Sequence, residues 1–285
     1  MIQIDLNRFI AYHSLSDMSL MGRARIVAVL AIGVLAVAAG PARTQSAAPR
    51  RIAVAAASDL QAVFPELLSR FERDTGVNVT ASFGSSGNFF AQIQNGAPFD
   101  VFFSADIDHP RQLVASGRAE ADSLYEYATG RIVLWTRKDT GIDVRQGLKV
   151  LQDARVRRIA IANPRHAPYG RAAVAALRHE TVYDAVQGKL VMGENISQTA
   201  QLVDSGNADV GIIALSLALG PALRGSGTYV EIPATAHPPI EQAAVVLTAS
   251  RSQETARELV TYLRRPAIRE LLQRFGFAVP HAAPR

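Results

Sequence analysis

The chain has 285 residues, nearly half of them apolar, which is enough for two small lobes or one large domain. It contains no cysteine, which excludes disulfides, thiol chemistry and a lipid-bearing cysteine. Of the net charge of +5, four Arg against two Asp in residues 1–48 leave only +3 for the rest, and the densest basic group is Arg155, Arg157 and Arg158, so no nucleic-acid partner is expected.

In chain order, Arg23 and Arg25 precede an uncharged run over residues 26–39, followed by Gly40, Pro41 and a polar stretch through Arg50. A bilayer-spanning helix needs ~20 apolar residues, so the run is too short to span but fits the apolar core of a signal peptide. Cleavage is expected after Ala36-Val37-Ala38 or Gly40-Pro41-Ala42. Residues 1–48 therefore read as signal peptide and leader, with Met18 or Met21 as the expected true start and an uncleaved anchor as the alternative. The product is expected to be exported to the periplasm.

The mature part alternates strand and helix. Residues 51–56 read as a buried strand. Leu60, Val63, Phe64, Leu67, Leu68 and Phe71 then recur at helical spacing until Gly76. Val77, Val79 and Ala81 alternate as a second strand, a helix follows over residues 89–94, and residues 101–104 make a third strand. After Gly130 the pattern repeats: strand 131–136, strand 158–162, a helix from Gly170, strand 189–192, helix 196–204 and strand 209–214. A strand at 242–248 and helices at 253–264 and 266–275 come after the second set is complete and are expected to return to the first. The predicted architecture is α/β with two lobes, each a mostly parallel sheet flanked by helices. The first lobe takes residues 50–127 plus 242–281 and the second 128–241, with a hinge at two or three crossovers.

Four times an apolar strand runs into a loop of small or polar residues and then a helix: at Ser58-Asp59, Ser85-Ser86-Gly87, Asn163 to Gly170, and Glu194 to Ser197. In open α/β sheets ligands lie beyond the C-terminal ends of the strands, and a helix N-terminus there offers unpaired N–H donors and about half a positive charge. Any one of these loops is explained by an ordinary helix cap. Four of them, with no Lys or Arg in the first two motifs, point to a cleft that binds a small ionised oxyanion.

The same segments carry a family resemblance. Ala55-Ala56-Ala57-Ser58-Asp59-Leu60, Ser82-Phe83-Gly84-Ser85-Ser86-Gly87 and the run from Gly96 to Asp106 resemble the periplasmic molybdate-binding proteins of ABC importers. The likeness continues through Asn163 to Gly170, Gly193-Glu194-Asn195-Ile196, Val210-Gly211-Ile212-Ile213 and Phe275-Gly276-Phe277. The resemblance implies a two-lobed periplasmic-binding-protein fold with the ligand in the interlobe cleft. By position it implies hydroxyl donors at Ser58 and Ser86 and backbone donors at Tyr169 and Ile196, with Asp59 and Ser85 as additional candidates. Molybdate, and tungstate of nearly the same size, would be bound as oxyanions through oxygen. No free metal cation, cofactor or enzymatic activity is expected. The implied partner is the membrane permease of an ABC importer, and the protein is expected to be a monomer.

Two positions depart from the family pattern. A tyrosine donor common just after the strand at 210–213 is replaced by Ala214. The Tyr169 side chain is left three roles: lining the cavity, replacing that donor, or packing. Asp59 places a carboxylate beside an anion, so it is expected to turn away and cap its helix while its N–H faces the ligand. If it pointed inward it would accept a hydrogen bond from a protonated oxyanion and favour phosphate. Sulfate and phosphate binders are thus the alternatives, followed by an exported serine hydrolase using Ser58 or Ser86 with His166. Gly84-Ser85-Ser86-Gly87-Asn88 lacks the final glycine of a nucleophile elbow.

Overall fold

The structure is a computed structural model that describes residues 50–280. The expected signal peptide, its expected cleavage sites and the two candidate starts lie outside the described residues. Among those residues no helix is long and apolar enough to cross a membrane.

The first lobe is built on a five-stranded sheet in the order β2-β1-β3-β10-β4. Its interior strands β1 (Arg51–Ala57) and β3 (Val101–Ser104) are almost continuously apolar and buried, as strands covered on both faces must be. Edge strand β2 (Asn78–Gly84) alternates exposed and half-buried residues along most of its length. The helix expected from Leu60 instead begins at Phe64. Ser58–Ala62 forms a 3-10 turn, and α1 (Phe64–Thr75) starts afresh with Pro65 in its first turn. Proline has no N–H to extend a helix begun at Leu60, so the chain must break before it. Leu67 and Phe71 then turn the apolar face of α1 into the core, and Gly76 ends it at φ 69° with its N–H on the Glu72 carbonyl.

Helix α2 (Ser86–Gln94) follows β2, and α3 (Asp108–Ala115), which the periodicity did not indicate, follows β3. Strand β4 (Tyr125–Gly130) was also not anticipated, because Glu126, Thr129 and Gly130 break up its apolar pattern. It carries the chain to Arg131, where β5 (Ile132–Arg137) begins the second sheet.

That second sheet has the order β7-β6-β8-β5-β9. Its elements are β6 (Ile159–Ala162), α4 (Pro168–His179), the short α5 (Tyr183–Val186), β7 (Leu190–Gly193), α6 (Ile196–Asp204), β8 (Val210–Ala214), α7 (Leu215–Ala218) and β9 (Gly227–Glu231). β9 is a largely exposed edge strand with little apolar signal. Residues 232–239 then return the chain to the first sheet as β10 (Ile240–Val246), which pairs antiparallel with β3 and β4. Helices α8 (Gln253–Tyr262) and α9 (Pro266–Arg274) close the first lobe, where Leu259 and Leu271 pack in the same core as Val54 and Leu67.

Both sheets are mixed. In each, two ladders are parallel (β1 with β2 and β3; β6 with β7 and β8) and two are antiparallel. The antiparallel pairs contain the strands that lead to and from the crossovers. Sheet membership therefore changes at Arg131 and within 232–239, not at the expected limits 127/128 and 241/242. The large core of the second lobe also takes in Ala57 and Ala105, at the ends of β1 and β3, so the lobes meet beside the parallel strand ends.

Candidate functional site

Every predicted loop lies at the C-terminal end of a parallel strand. Ser58 follows β1, Ser85 and Ser86 follow β2, the turn to Tyr169 follows β6, and Ile196 follows β7. All six candidate residues, Ser58, Asp59, Ser85, Ser86, Tyr169 and Ile196, line one small cavity whose other walls include Ala57, Gly84, Ala105 and Ala167. Small side chains there let backbone from both lobes approach a common centre, and no Lys or Arg lines it.

The local folding that exposes these donors is simple. Ser85 is the N-cap of α2, its hydroxyl accepting the Asn88 N–H at 3.4 Å, and Asn195 caps α6 by accepting the Gln198 N–H at 2.9 Å. Pro168 opens α4 without needing an N–H. The caps leave the N–H groups of Tyr169 and Ile196 in first turns, where no carbonyl of their own helix reaches them. Three helix N-termini thus contribute to the cavity wall, an arrangement that favours negative charge.

Both predicted serines are buried and already accept a backbone N–H. Ser86 Oγ accepts from Ala105 N at 2.8 Å, and Ser58 Oγ accepts from Ser197 N, in the opposite lobe, at 3.3 Å. A hydroxyl has one proton and two lone pairs, so with an acceptor site filled each serine is left to act as a donor. Such a set satisfies an anion with acceptors only and no proton to give.

Asp59 does not cap its helix. No side chain caps the Ser58–Ala62 turn. Instead Oδ2, on a fully buried carboxylate, accepts from Gln242 Nε2 at 2.6 Å and from the Tyr169 hydroxyl at 3.0 Å, while Oδ1 has no partner. Burial pushes its carboxyl up to about 6, against the opposing hydrogen bonds from Gln242 and Tyr169. Tyr169 also accepts from Gln242 Nε2 at 3.0 Å. Its hydroxyl proton is committed to Asp59. Ala214 itself is buried in the second-lobe core at the end of β8. The nearby Ser216 hydroxyl donates to the Asp59 carbonyl at 2.8 Å.

The pairing of His166 with Ser58 or Ser86 that the hydrolase alternative would need does not form. His166 Nδ1 lies 2.8 Å from Ser85 Oγ and its Nε2 3.5 Å from Glu194, and its carbonyl accepts the Gly87 N–H at 2.9 Å. A Cβ on Gly87 would lie 2.7 Å from that carbonyl oxygen, so the close approach of the two lobes here requires glycine. At the rim, Arg171 of the second lobe reaches Asp106 of the first at 2.7 Å. Burial disfavours the Asp106 charge, but the hydrogen bond and charge of His109 and the charge of Arg171 hold its carboxyl below the usual range.

Sequence reasoning missed Gln242, Tyr127, Ser216 and the Asp106–Arg171 pair as parts of this region. Gln242 carried a signal: it is the amide in the otherwise apolar middle of β10, and it is fully buried. The others are ordinary polar residues until the two lobes are brought together.

Residues 52–278 match the family of bacterial extracellular solute-binding proteins. The molybdate-binding protein ModA of Azotobacter vinelandii is 39% identical over 255 residues, covering 90% of this chain and 97% of the relative. ModA of Rhodobacter capsulatus is 35% identical over 231 residues, covering 81% of this chain and 89% of the relative. The solved structure of the Azotobacter vinelandii periplasmic molybdate-binding protein matches with a TM-score of 0.77 at 34% identity, covering 81% of this chain and all of that one. The sulfate-binding protein SubI of Mycobacterium tuberculosis, at 16% identity and a TM-score of 0.64, shares the fold. These relatives are oxyanion-binding proteins. The chain belongs to the bacterial extracellular solute-binding proteins and, among them, to the ModA family.

Proposed function

We propose that the protein captures molybdate in the cleft between its lobes and hands it to the membrane permease of an ABC importer, working as an exported periplasmic monomer. The carrying observation is the cavity shared by Ser58, Ser86, Tyr169 and Ile196, two donors from each lobe, with no cationic side chain in its wall. Molybdate is a dianion with four acceptor oxygens, and fixed dipoles in a dry site can hold it without a counter-charge. Tungstate offers the same oxygens at nearly the same size and binds in the same way. Sulfate offers them on shorter bonds, so selection rests on cavity size.

Closure is part of the mechanism, because donors from both lobes reach one ligand only when the lobes meet. The permease then reads the closed arrangement. A ligand that binds only the folded protein stabilises it by about 2.7 kcal/mol at 100 times its Kd. Thermal unfolding of the mature protein with and without millimolar molybdate tests the assignment: a clear rise in Tm is expected, and an unchanged Tm would contradict it.

A further inference from the structure

Behind the cavity, and sharing Asp59 and Tyr169 with its wall, lies a buried polar cluster that joins the two lobes. Tyr169 is the only member from the second lobe. Its phenol crosses to the first, donating to Asp59 Oδ2 at 3.0 Å and accepting from Gln242 Nε2 at 3.0 Å. Gln242 is fixed in turn: its oxygen accepts the Tyr127 hydroxyl at 2.7 Å, and its second N–H goes to Asp59 at 2.6 Å. All four side chains are at most 2% exposed.

The cluster sits where the chain changes lobes. Tyr127 lies on β4, which ends at Gly130 one residue before the first crossover. Gln242 lies on β10, which begins just after the second. A Cβ on Gly130 would be 2.3 Å from the Tyr169 hydroxyl and 2.9 Å from Gln242 Nε2. The seat for the phenol is therefore built partly from the absence of a side chain at the hinge itself. Opening the lobes would withdraw the phenol and leave Asp59 and Gln242 short of a partner. Seated, the phenol gives each of them a hydrogen bond inside a dry site, where such bonds are strong, so the seat favours closure.

The geometry points to a closure latch in which Asp59, Gln242 and Gly130 are positioning residues that act through Tyr169. Seating its phenol on the first lobe holds the lobes together and fixes the backbone N–H of the same residue at the cavity. The ligand meets only that N–H. One residue thus reports to the ligand through its backbone and to the hinge through its side chain, which ties anion binding to the crossovers. This account rests on the molybdate reading only where affinity is measured; the lobe contact itself does not.

Because the chain has no cysteine, labels can be placed cleanly by introducing Gln112→Cys on the first lobe and Gln187→Cys on the second, both exposed. The test compares the otherwise unaltered protein with Tyr169→Phe, which keeps ring and N–H, and with Gly130→Ala, which removes no group but fills the seat. Inter-label distances without ligand, molybdate Kd and Tm are read for each. Both variants are expected to shift the distance distribution outward without ligand and to raise the molybdate Kd by about tenfold, the scale of one hydrogen bond to a charged group. A lower Tm with unchanged distance and unchanged Kd would mark the cluster as merely structural and overturn the latch. If one variant does not fold, the other decides. If the unaltered protein does not bind molybdate, the function assignment fails, and the distances alone uphold or overturn the latch.

Discussion

Ser58 Oγ accepts the backbone N–H of Ser197 from the opposite lobe at 3.3 Å, so a proposed ligand donor is also a point of contact between lobes. Ser86, by contrast, accepts Ala105 N from its own lobe at 2.8 Å. Hydrogen bonds to charged groups are worth roughly 1.5–3 kcal/mol. Ser58→Ala and Ser86→Ala are each expected to weaken molybdate binding by about that range. Calorimetric Kd values check this, and unchanged affinity in both variants would remove these serines from the site.

Gly87→Ala acts through closure. Its added Cβ meets His166 backbone atoms in the other lobe at 2.7 to 2.9 Å, a clash that neither lobe contains alone. Affinity is expected to fall by about tenfold or more, ~1.4 kcal/mol. Circular dichroism of the variant should be unaltered, and wild-type affinity would show that the lobes close without this contact.

The Asp59 carboxyl supplies a pH signature. Its folded value of about 6 lies above the ordinary 3.8, so between these values the folded chain holds more protons than the unfolded one. Stability from this group is then fully present below about pH 4 and declines as pH rises through about 6. A tenfold change in proton affinity corresponds to about 1.4 kcal/mol, so the decline is about 3 kcal/mol at most. Asp59→Asn removes the charge and with it this slope. Its Tm relative to wild type should be higher at pH 7.5 than at pH 4.5, as scanning calorimetry at the two pH values would show; a difference independent of pH would contradict the assignment of that slope to Asp59.

At the rim, the Arg171–Asp106 pair joins the lobes but is only part-buried, the Arg171 side chain being 45% exposed. Exposed ion pairs contribute roughly 0.2–1 kcal/mol and are screened by salt. Arg171→Ala should therefore weaken binding by less than about 1 kcal/mol, with the difference shrinking at high salt. A loss that persists unchanged in 1 M salt would assign Arg171 a role beyond this pair.

Much of the fold was legible because buried strands such as β1, β3 and β8 are short apolar runs and α1 shows a clear apolar face. The elements that escaped had weak patterns: β9 is a largely exposed edge strand, β4 is interrupted by Glu126 and Gly130, and α3 carries Pro110 in its first turn. The four loops that line the cavity were legible because strand, small residues and helix start are contiguous in sequence. The cluster behind them was not. Tyr169 and Asp59 are 110 residues apart and Gln242 and Asp59 are 183 apart, and their pairing depends on how two lobes meet. Local periodicity carries no such information. The expected cap role for Asp59 failed for the same reason, since a distant phenol and amide outcompeted its own helix.

Calorimetric titration of the mature protein with molybdate, tungstate, sulfate and phosphate tests the central claim most directly. Tight binding of molybdate and tungstate, with sulfate and phosphate much weaker, is expected if the donors of both lobes close on the larger tetrahedral dianions. Binding of sulfate or phosphate with no binding of molybdate would contradict it.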